Sequence, residues 1–266
     1  MESPETVSLH HMDFGRFVLL PTTIMSNVQK LELCRCNMTY VPDSICQLES
    51  LTHLDLTDNL LSDIPDSIGQ LESLTHLDLI GNQLTYLPDT FGQLMNLTHL
   101  DLSYNKLESL PDTFRRLTNL THLDLTYSQL TSLPVTISQL TNLIELNLSD
   151  NRLTWLSDAI GQLRCLTHLD LSGNLLMSLP ETIGQLANLI YLSLEGNKLT
   201  SLPDTFGQLI NLEDLNLYEI QLTSLPESFR QLTKLRNLDA NYIVHALTKF
   251  RYSSRREQEL SARCTS

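Results

Sequence analysis

A segment of 23 residues recurs from Val28 to Lys234 without one insertion or deletion. New units open at Leu51, Leu74, Leu97, Leu120, Leu143, Leu166, Leu189 and Leu212, and a tenth begins at Leu235. Self-similarity at a fixed period of this size specifies a solenoid. One supersecondary unit cannot bury its own apolar face, so it must stack on the next.

Within the unit that begins at Leu74, the run Leu77-Asp78-Leu79 alternates apolar and polar residues. Period two predicts a short, half-buried strand, with Leu74, Leu77 and Leu79 turned inward and His76, Asp78 and Ile80 outward. Successive units run in the same sense, so their strands form a parallel sheet. Asn82 follows, with counterparts at Asn59, Asn105, Asn151, Asn174 and Asn197; Cys36 and Ser128 take the same place. A buried amide at this bend can bond backbone groups of neighbouring turns, forming a structural ladder. Leu84, Leu87, Phe91 and Leu94 then fill the core from the returning side. Pro88 ends the extended stretch and Asp89-Thr90 can start a helical turn. Gly92 and its equivalents Gly69, Gly161, Gly184 and Gly207 are expected to relieve crowding where the chain turns back.

These residues follow the pattern LxxLxLxxNxLxxLP, and the chain resembles the leucine-rich repeat family over about 207 of its 266 residues. The resemblance implies an α/β fold: a curved horseshoe solenoid with a concave parallel sheet and convex short helices or 3-10 turns. The LPxxI/FGQL half of the unit is similar to intracellular Ras-group repeats and to many bacterial repeat proteins. Ser157 departs from the proline of the pattern, and Ile220 and Ile243 depart from the asparagine, so the ladder is expected to loosen near the C-terminal end. The implied organisation is an N-terminal cap (1–27), the solenoid (28–242) and a C-terminal cap with a basic tail (243–266). Leu20-Pro21-Thr22-Thr23-Ile24 reads as half a repeat covering the first core turn. Ile243, Ala246, Leu247 and Phe250 have helical spacing and suit the last.

Formal charge is −14, and the tail from Ile243 is +3, so the body carries about −17. An acidic body disfavours nucleic acid and suits a partner with a basic surface. The apolar stretch Phe17-Val18-Leu19-Leu20 stops at Pro21, too short for a signal peptide or a membrane span. Cys34, Cys36, Cys46, Cys165 and Cys264 lack the spacing of disulfide-rich caps. Free thiols in a reducing, cytoplasmic compartment are therefore expected. Sequons at Asn37, Asn96, Asn119 and Asn147 read as by-products of the repeat.

The outward strand positions form two columns. One runs Lys30, His53, His76, His99, His122, Glu145, His168, Tyr191, Asp214, Asn237. The other runs Glu32, Asp55, Asp78, Asp101, Asp124, Asn147, Asp170, Ser193, Asn216, Asp239. A metal surface is disfavoured, because His and Asp on one strand stand about 7 Å apart, and no metal or cofactor is expected. The plainer reading has the histidines bonding to the aspartates. Neighbouring carboxylates should then hold the imidazoles above their ordinary pKa of about 6.5. Tyr104, Tyr127, Tyr218 and Tyr242 are assigned to one position just after the strand, and Tyr40, Tyr86 and Trp155 to another. Exposed Tyr and Trp are common interface anchors.

No phosphate loop or nucleophile elbow occurs. The expected function is a non-enzymatic protein-binding module acting through its concave face. The candidate residues are His53, His76, His99, His122, His168, Asp55, Asp78, Asp101, Asp124, Asp170, Tyr191, Asp214 and Tyr218. The even repeats resemble effectors that intracellular bacterial pathogens deliver into the host cytosol, and the polar tail is compatible with a translocation signal. The alternatives are a cytosolic scaffold or regulator of a small GTPase or phosphatase, and a ubiquitin-ligase fragment without its catalytic domain. The sequence leaves the oligomeric state open.

Overall fold

Each repeat becomes a three-residue strand, a bend and a returning limb that ends in a helical turn. The computed structural model describes residues 5–11 and 27–240. Contacts divide the chain into two compact units at Leu130/Thr131. In the first, six strands pair in chain order and in parallel: β1 (Thr6–Ser8), β2 (Lys30–Glu32), β3 (His53–Asp55), β4 (His76–Asp78), β5 (His99–Asp101) and β6 (His122–Asp124). In the second, five do so: β7 (Glu145–Asn147), β8 (His168–Asp170), β9 (Tyr191–Ser193), β10 (Asp214–Asn216) and β11 (Asn237–Asp239). The register is one unit per strand, so Leu54, Leu77, Leu100 and Leu123 align and are buried.

The strands are short because the chain bends inward after them, which strands several peptide groups in the core. The asparagines satisfy these groups. Asn59 Oδ1 accepts from the Cys36 and Met38 N–H groups, each at 3.0 Å, while its Nδ2 donates to the Leu33 and Leu56 carbonyls at 2.8 and 2.9 Å. Asn105 accepts from Leu84 N–H and donates to the carbonyls of Leu79 and Leu102. Asn82 joins Leu61 to Leu56 in the same way; in the second unit Asn174 joins Leu153 to Leu148, and Asn197 joins Leu176 to Leu171. Asn151 donates to Leu148 and Ser149. Where the amide is missing, weaker donors act: Cys36 Sγ reaches the Leu9 carbonyl at 3.3 Å, and Ser128 Oγ reaches that of Leu102 at 3.0 Å. The next residue in each case, Asn37 or Gln129, swings to positive φ, 52° and 65°. Ile220 is buried and packs as an apolar side chain, without such a swing.

On the returning limb, Pro88 sits at φ −68°, ψ 154° and lacks an N–H, so it ends the extended run and opens the 3-10 helix Asp89–Gln93. Phe91 N–H closes the turn on the Pro88 carbonyl at 3.0 Å. The five-residue 3-10 turn recurs from Asp66–Gln70 to Glu227–Gln231; the earliest limb makes one α-helical turn instead, Asp43–Cys46. Ser157 takes the same backbone angles as the prolines, φ −66° and ψ 148°, and adds a cap of its own, its Oγ accepting from Ala159 N–H at 3.2 Å. Adjacent turns stack backbone on side chain. A Cβ on Gly92 would stand 2.5 Å from the Thr113 carbonyl oxygen, which only glycine permits.

Two features escaped the sequence reading. Strand β1 precedes the repeats and extends the sheet beside β2, with Gln29 and Lys30 N–H both donating to the Glu5 carbonyl. A second amide column lies at the end of the units: Asn96, Asn119, Asn188 and Asn211 each donate to a carbonyl of the preceding unit, at 2.8, 2.9, 2.9 and 2.7 Å. The proposed caps at Leu20–Ile24 and Ile243–Phe250, together with Tyr242 and Cys264, lie outside the described residues.

Asn105→Ala is expected to destabilise by about 1–3 kcal/mol, the cost of leaving buried peptide groups unpaired. Ile220→Ala should lose apolar packing alone. Urea midpoints of the two variants check this, and a shift for Asn105→Ala no larger than for Thr118→Ala would contradict the ladder.

Candidate functional site

The outward residues of β3 to β6 are brought into exact register, His53, His76, His99 and His122 in one row and Asp55, Asp78, Asp101 and Asp124 in the next. The imidazoles stack face to face, with centroids 4.1, 4.3 and 4.2 Å apart and planes within 12°. His53 and His76 bond to threonines, not to the aspartates as the sequence had suggested. Each Nδ1 lies 2.8–2.9 Å from the hydroxyl of the threonine before it: Thr52, Thr75, Thr98 and Thr121. Each of those hydroxyls also lies about 3.0 Å from a backbone carbonyl one unit earlier. A hydroxyl has one proton, and a carbonyl can only accept. Both contacts are therefore satisfied only when the threonine donates to the carbonyl and Nδ1–H donates to the threonine. This assigns the tautomer and leaves Nε2 as the acceptor nitrogen of the neutral ring.

The aspartate row has its own local bond. Asp55, Asp101 and Asp124 each accept from the backbone N–H two residues on, at 2.9, 2.8 and 2.8 Å. In the second unit Asn147, Asp170 and Asn216 do the same. The Asp78 carboxylate receives no such bond. Burial, then the charges of Asp55 and Asp101, push its carboxyl up to about 6. Burial also raises Asp101, against the bond from Ser103. The histidine expectation is overturned at His76, which burial and then the neighbouring His53, His99 and His122 push down to about 4. Desolvation and like-charge repulsion outweigh the attraction of the carboxylates. Lys30, at the head of the row, pairs with Glu32 at 2.7 Å.

In the second unit, Glu145, His168, Tyr191, Asp214 and Asn237 share a row, with the His168 and Tyr191 rings 6.0 Å apart. Burial and then Asp170 raise the Tyr191 phenol. Asn237 donates to the Asp214 carboxylate, and Asn216 Nδ2 donates to Glu195 at 2.7 Å. Tyr218 is not equivalent to Tyr104 and Tyr127: counted by 23s, it aligns with Ile80 and Glu195, and Glu219 takes the tyrosine position.

That position has a property the sequence reading missed. Its occupants Arg35, Asp58, Gly81, Tyr104, Tyr127, Asp150, Gly173, Gly196 and Glu219 all have φ between 52° and 64°. Glycine suits this region, whereas a bulky residue is strained there by about 1–3 kcal/mol. Tyr104 and Tyr127 nevertheless occupy it, half exposed and stacked 5.1 Å apart. A recurring glycine at one repeat position, with exceptions, is the signal that could have revealed it. Tyr40, Tyr86 and Trp155 are likewise exposed.

Cys34, Cys36, Cys46 and Cys165 are free thiols, and burial with the nearby Asp55 pushes Cys34 up to about 12, which makes it unreactive. Among the described residues no group of three or more His, Cys, Asp or Glu could hold a metal ion, and no helix is long and apolar enough to cross a membrane.

A family model described as a leucine-rich repeat region matches residues 18–146 and 145–261. No curated protein matches the chain. Among solved structures, a leucine-rich repeat protein of Leptospira interrogans shares 32% identity over 89% of this chain and 79% of its own, with a TM-score of 0.42. A plant peptide hormone receptor in complex with the hormone RGF2 shares 28% identity over 83% of this chain and 42% of its own, with a TM-score of 0.66. The functional domain of InlJ from Listeria monocytogenes shares 25% identity over 89% of this chain and 53% of its own, with a TM-score of 0.65. This chain thus spans less than half of the receptor and about half of the InlJ domain.

The two shifted groups on β4 have opposite consequences for stability. Between about pH 4 and 6.5 the unfolded chain binds a proton at His76 that the folded chain refuses, so this group makes stability rise with pH. Between pH 3.8 and about 6 the folded chain keeps a proton on Asp78 that the unfolded chain has lost, so this group makes stability fall. Asp78→Asn should therefore steepen the rise across the window, and His76→Asn should reverse it. Urea midpoints at about pH 4.5, 5.5 and 6.5 measure this; variants that both follow the parent profile would contradict it.

Proposed function

The chain belongs to the leucine-rich repeat family, and from that premise we propose that it is a non-enzymatic module that binds a protein partner across the outward face of its strands. The observation that carries this reading is the register of that face. Side chains 23 residues apart in sequence stand on adjacent strands, so a surface large enough for a protein is built from chemically matched rows. The rows offer mainly acceptors and negative charge, which suits a partner with a basic surface. The plant receptor with similar repeats is described in complex with a peptide hormone, which supports a polypeptide ligand.

The site residues divide by unit. In the first, His53, His76, His99 and His122 with Asp55, Asp78, Asp101 and Asp124 form a uniform acidic strip. In the second, His168, Asp170, Tyr191, Asp214 and Tyr218 vary from strand to strand, as residues that discriminate one partner from another should. We assign the chain further to the cytosol of a host cell, as a bacterial effector. The support is the evenness of its repeats, its free thiols and its similarity to the InlJ domain of Listeria monocytogenes.

Affinity capture from a eukaryotic lysate, with the parent chain beside Tyr191→Ala/Asp214→Ala/Tyr218→Ala, tests the reading. A protein retained by the parent, released by salt and lost by the triple variant is the expected outcome. Equal retention by a triple variant with unchanged circular dichroism would place binding elsewhere.

A further inference from the structure

We propose that the outward face of β3 to β6 is a docking strip for an arginine-bearing segment of the partner, with its guanidinium groups donating to imidazole Nε2 and aspartate oxygens beside the Tyr104–Tyr127 pair. This rests on the reading that the sheet face binds protein, and it names the chemistry that one part of that face selects. Three independent features of the strip lead to it.

The first is the tautomer. Thr52 and Thr75 hold Nδ1–H of His53 and His76, so both rings present a lone pair at Nε2. A pair of histidines would ordinarily offer a mixture of donors and acceptors; these two are set to accept. Joined to the carboxylates of Asp55 and Asp78, it requires a ligand made of donors. The rings are parallel, so neighbouring lone pairs run side by side and do not converge on one point, as a shared metal ion would need.

The second is Asp78. The five aspartates of β3–β6 and β8 share one row position, and the side chains of Asp55, Asp101, Asp124 and Asp170 each accept a backbone N–H. Asp78 lacks that bond and stands between Asp55 and Asp101. The cation nearest the head of the row, Lys30, is engaged by Glu32, and Arg35 by Asp58 at 2.9 Å. Lys30 acts on Asp78 only from along the row, lowering it slightly against burial and the two aspartates, and His53, His99 and His122 supply repulsion to a charged His76. A cation brought by a partner completes the site. His76 and Asp78 lie two residues apart on one strand, about 7 Å. A guanidinium has donors on separate edges and can bridge such a gap, whereas an ammonium concentrates its donors at one point.

The third is the tyrosine pair. Gly81, Gly173 and Gly196 show what the left-handed position accepts without strain. Tyr104 and Tyr127 keep their rings there in the bends after β5 and β6, half exposed, at a cost to stability. Strained aromatic residues beside an acidic strip fit a binding role, because the face of a tyrosine ring attracts a guanidinium.

The test is calorimetric titration of the full chain at low salt and pH about 7.5. The probe is an acetylated octapeptide alternating arginine and threonine, with lysine and citrulline versions for comparison. The arginine peptide is expected to bind about tenfold tighter than the lysine peptide, and the neutral citrulline peptide not measurably. Asp78→Asn and His76→Phe should each weaken arginine binding about tenfold, since each removes one of the paired acceptors. Asp89→Asn, the same charge change on an exposed returning turn, should leave it unaltered. Tyr104→Gly should raise the melting midpoint and lower affinity together. Binding should fade as pH drops through about 6, as Asp78 takes up its proton. Absent arginine binding, equal affinity for lysine, or matching losses in Asp78→Asn and Asp89→Asn would overturn the proposal. A Tyr104→Gly variant that melts earlier would remove the tyrosines from it. A captured partner that depends on Tyr191, Asp214 and Tyr218 but not on His76 and Asp78 would sink this inference and leave the broader one standing.

Discussion

Every repeat has to dispose of peptide groups at the bend where its strand stops, and one asparagine side chain does this for two turns at once. A backbone N–H or carbonyl left unpaired in an apolar interior costs more than a typical hydrogen bond returns. The asparagine amide carries one acceptor oxygen and two N–H donors in a fixed plane, which matches the N–H groups and carbonyls that converge there. Leu33, Leu56, Cys36 and Met38 all meet Asn59. Because each amide holds the turn before its own, the unit cannot change length without breaking two ladders. That explains why the 23-residue spacing survives intact while many surface residues differ.

The strip on β3 to β6 shows which electrostatic effect dominates on a crowded sheet. Reading the columns as opposite charges suggested raised histidines. Rows on parallel strands place each side chain nearest to its own copy, so like meets like, His on His and Asp on Asp. Partial burial, reinforced by repulsion within rows, leaves His76 neutral and Asp78 reluctant to ionise. The pairing of each ring with its preceding threonine follows from the same repetition, since Thr-His recurs at the same place in those units.

Much of this was legible in the chain. Periodicity gave the solenoid, the direction of the strands, the inward leucines, the asparagine ladder positions and the proline turns, because each depends on residue type at a fixed offset. The strand β1 was not legible: Thr6–Ser8 lies outside the repeat, and its role comes from backbone pairing with β2. The left-handed position was hidden because tyrosine, aspartate and glutamate share it with glycine. Tyr218 was misplaced by one residue through attention to residue type instead of offset. The columns were readable as placements, but their protonation depended on ring stacking and threonine bonds that no spacing reveals.

The strict register also sets a mismatch of pitch. Rungs of the sheet repeat every ~4.8 Å, whereas side chains on one face of an extended peptide repeat every ~6.7 Å. A straight peptide laid along the rows drifts out of phase like a vernier, and returns to within about 1 Å of phase only after about three rungs, or four of its own residues. Contacts then concentrate at a few rungs instead of spreading over all of them. A sheet face as uniform as that of β3 to β6 would in this way still read the spacing of its ligand, counting residues without needing any rung to differ from its neighbour.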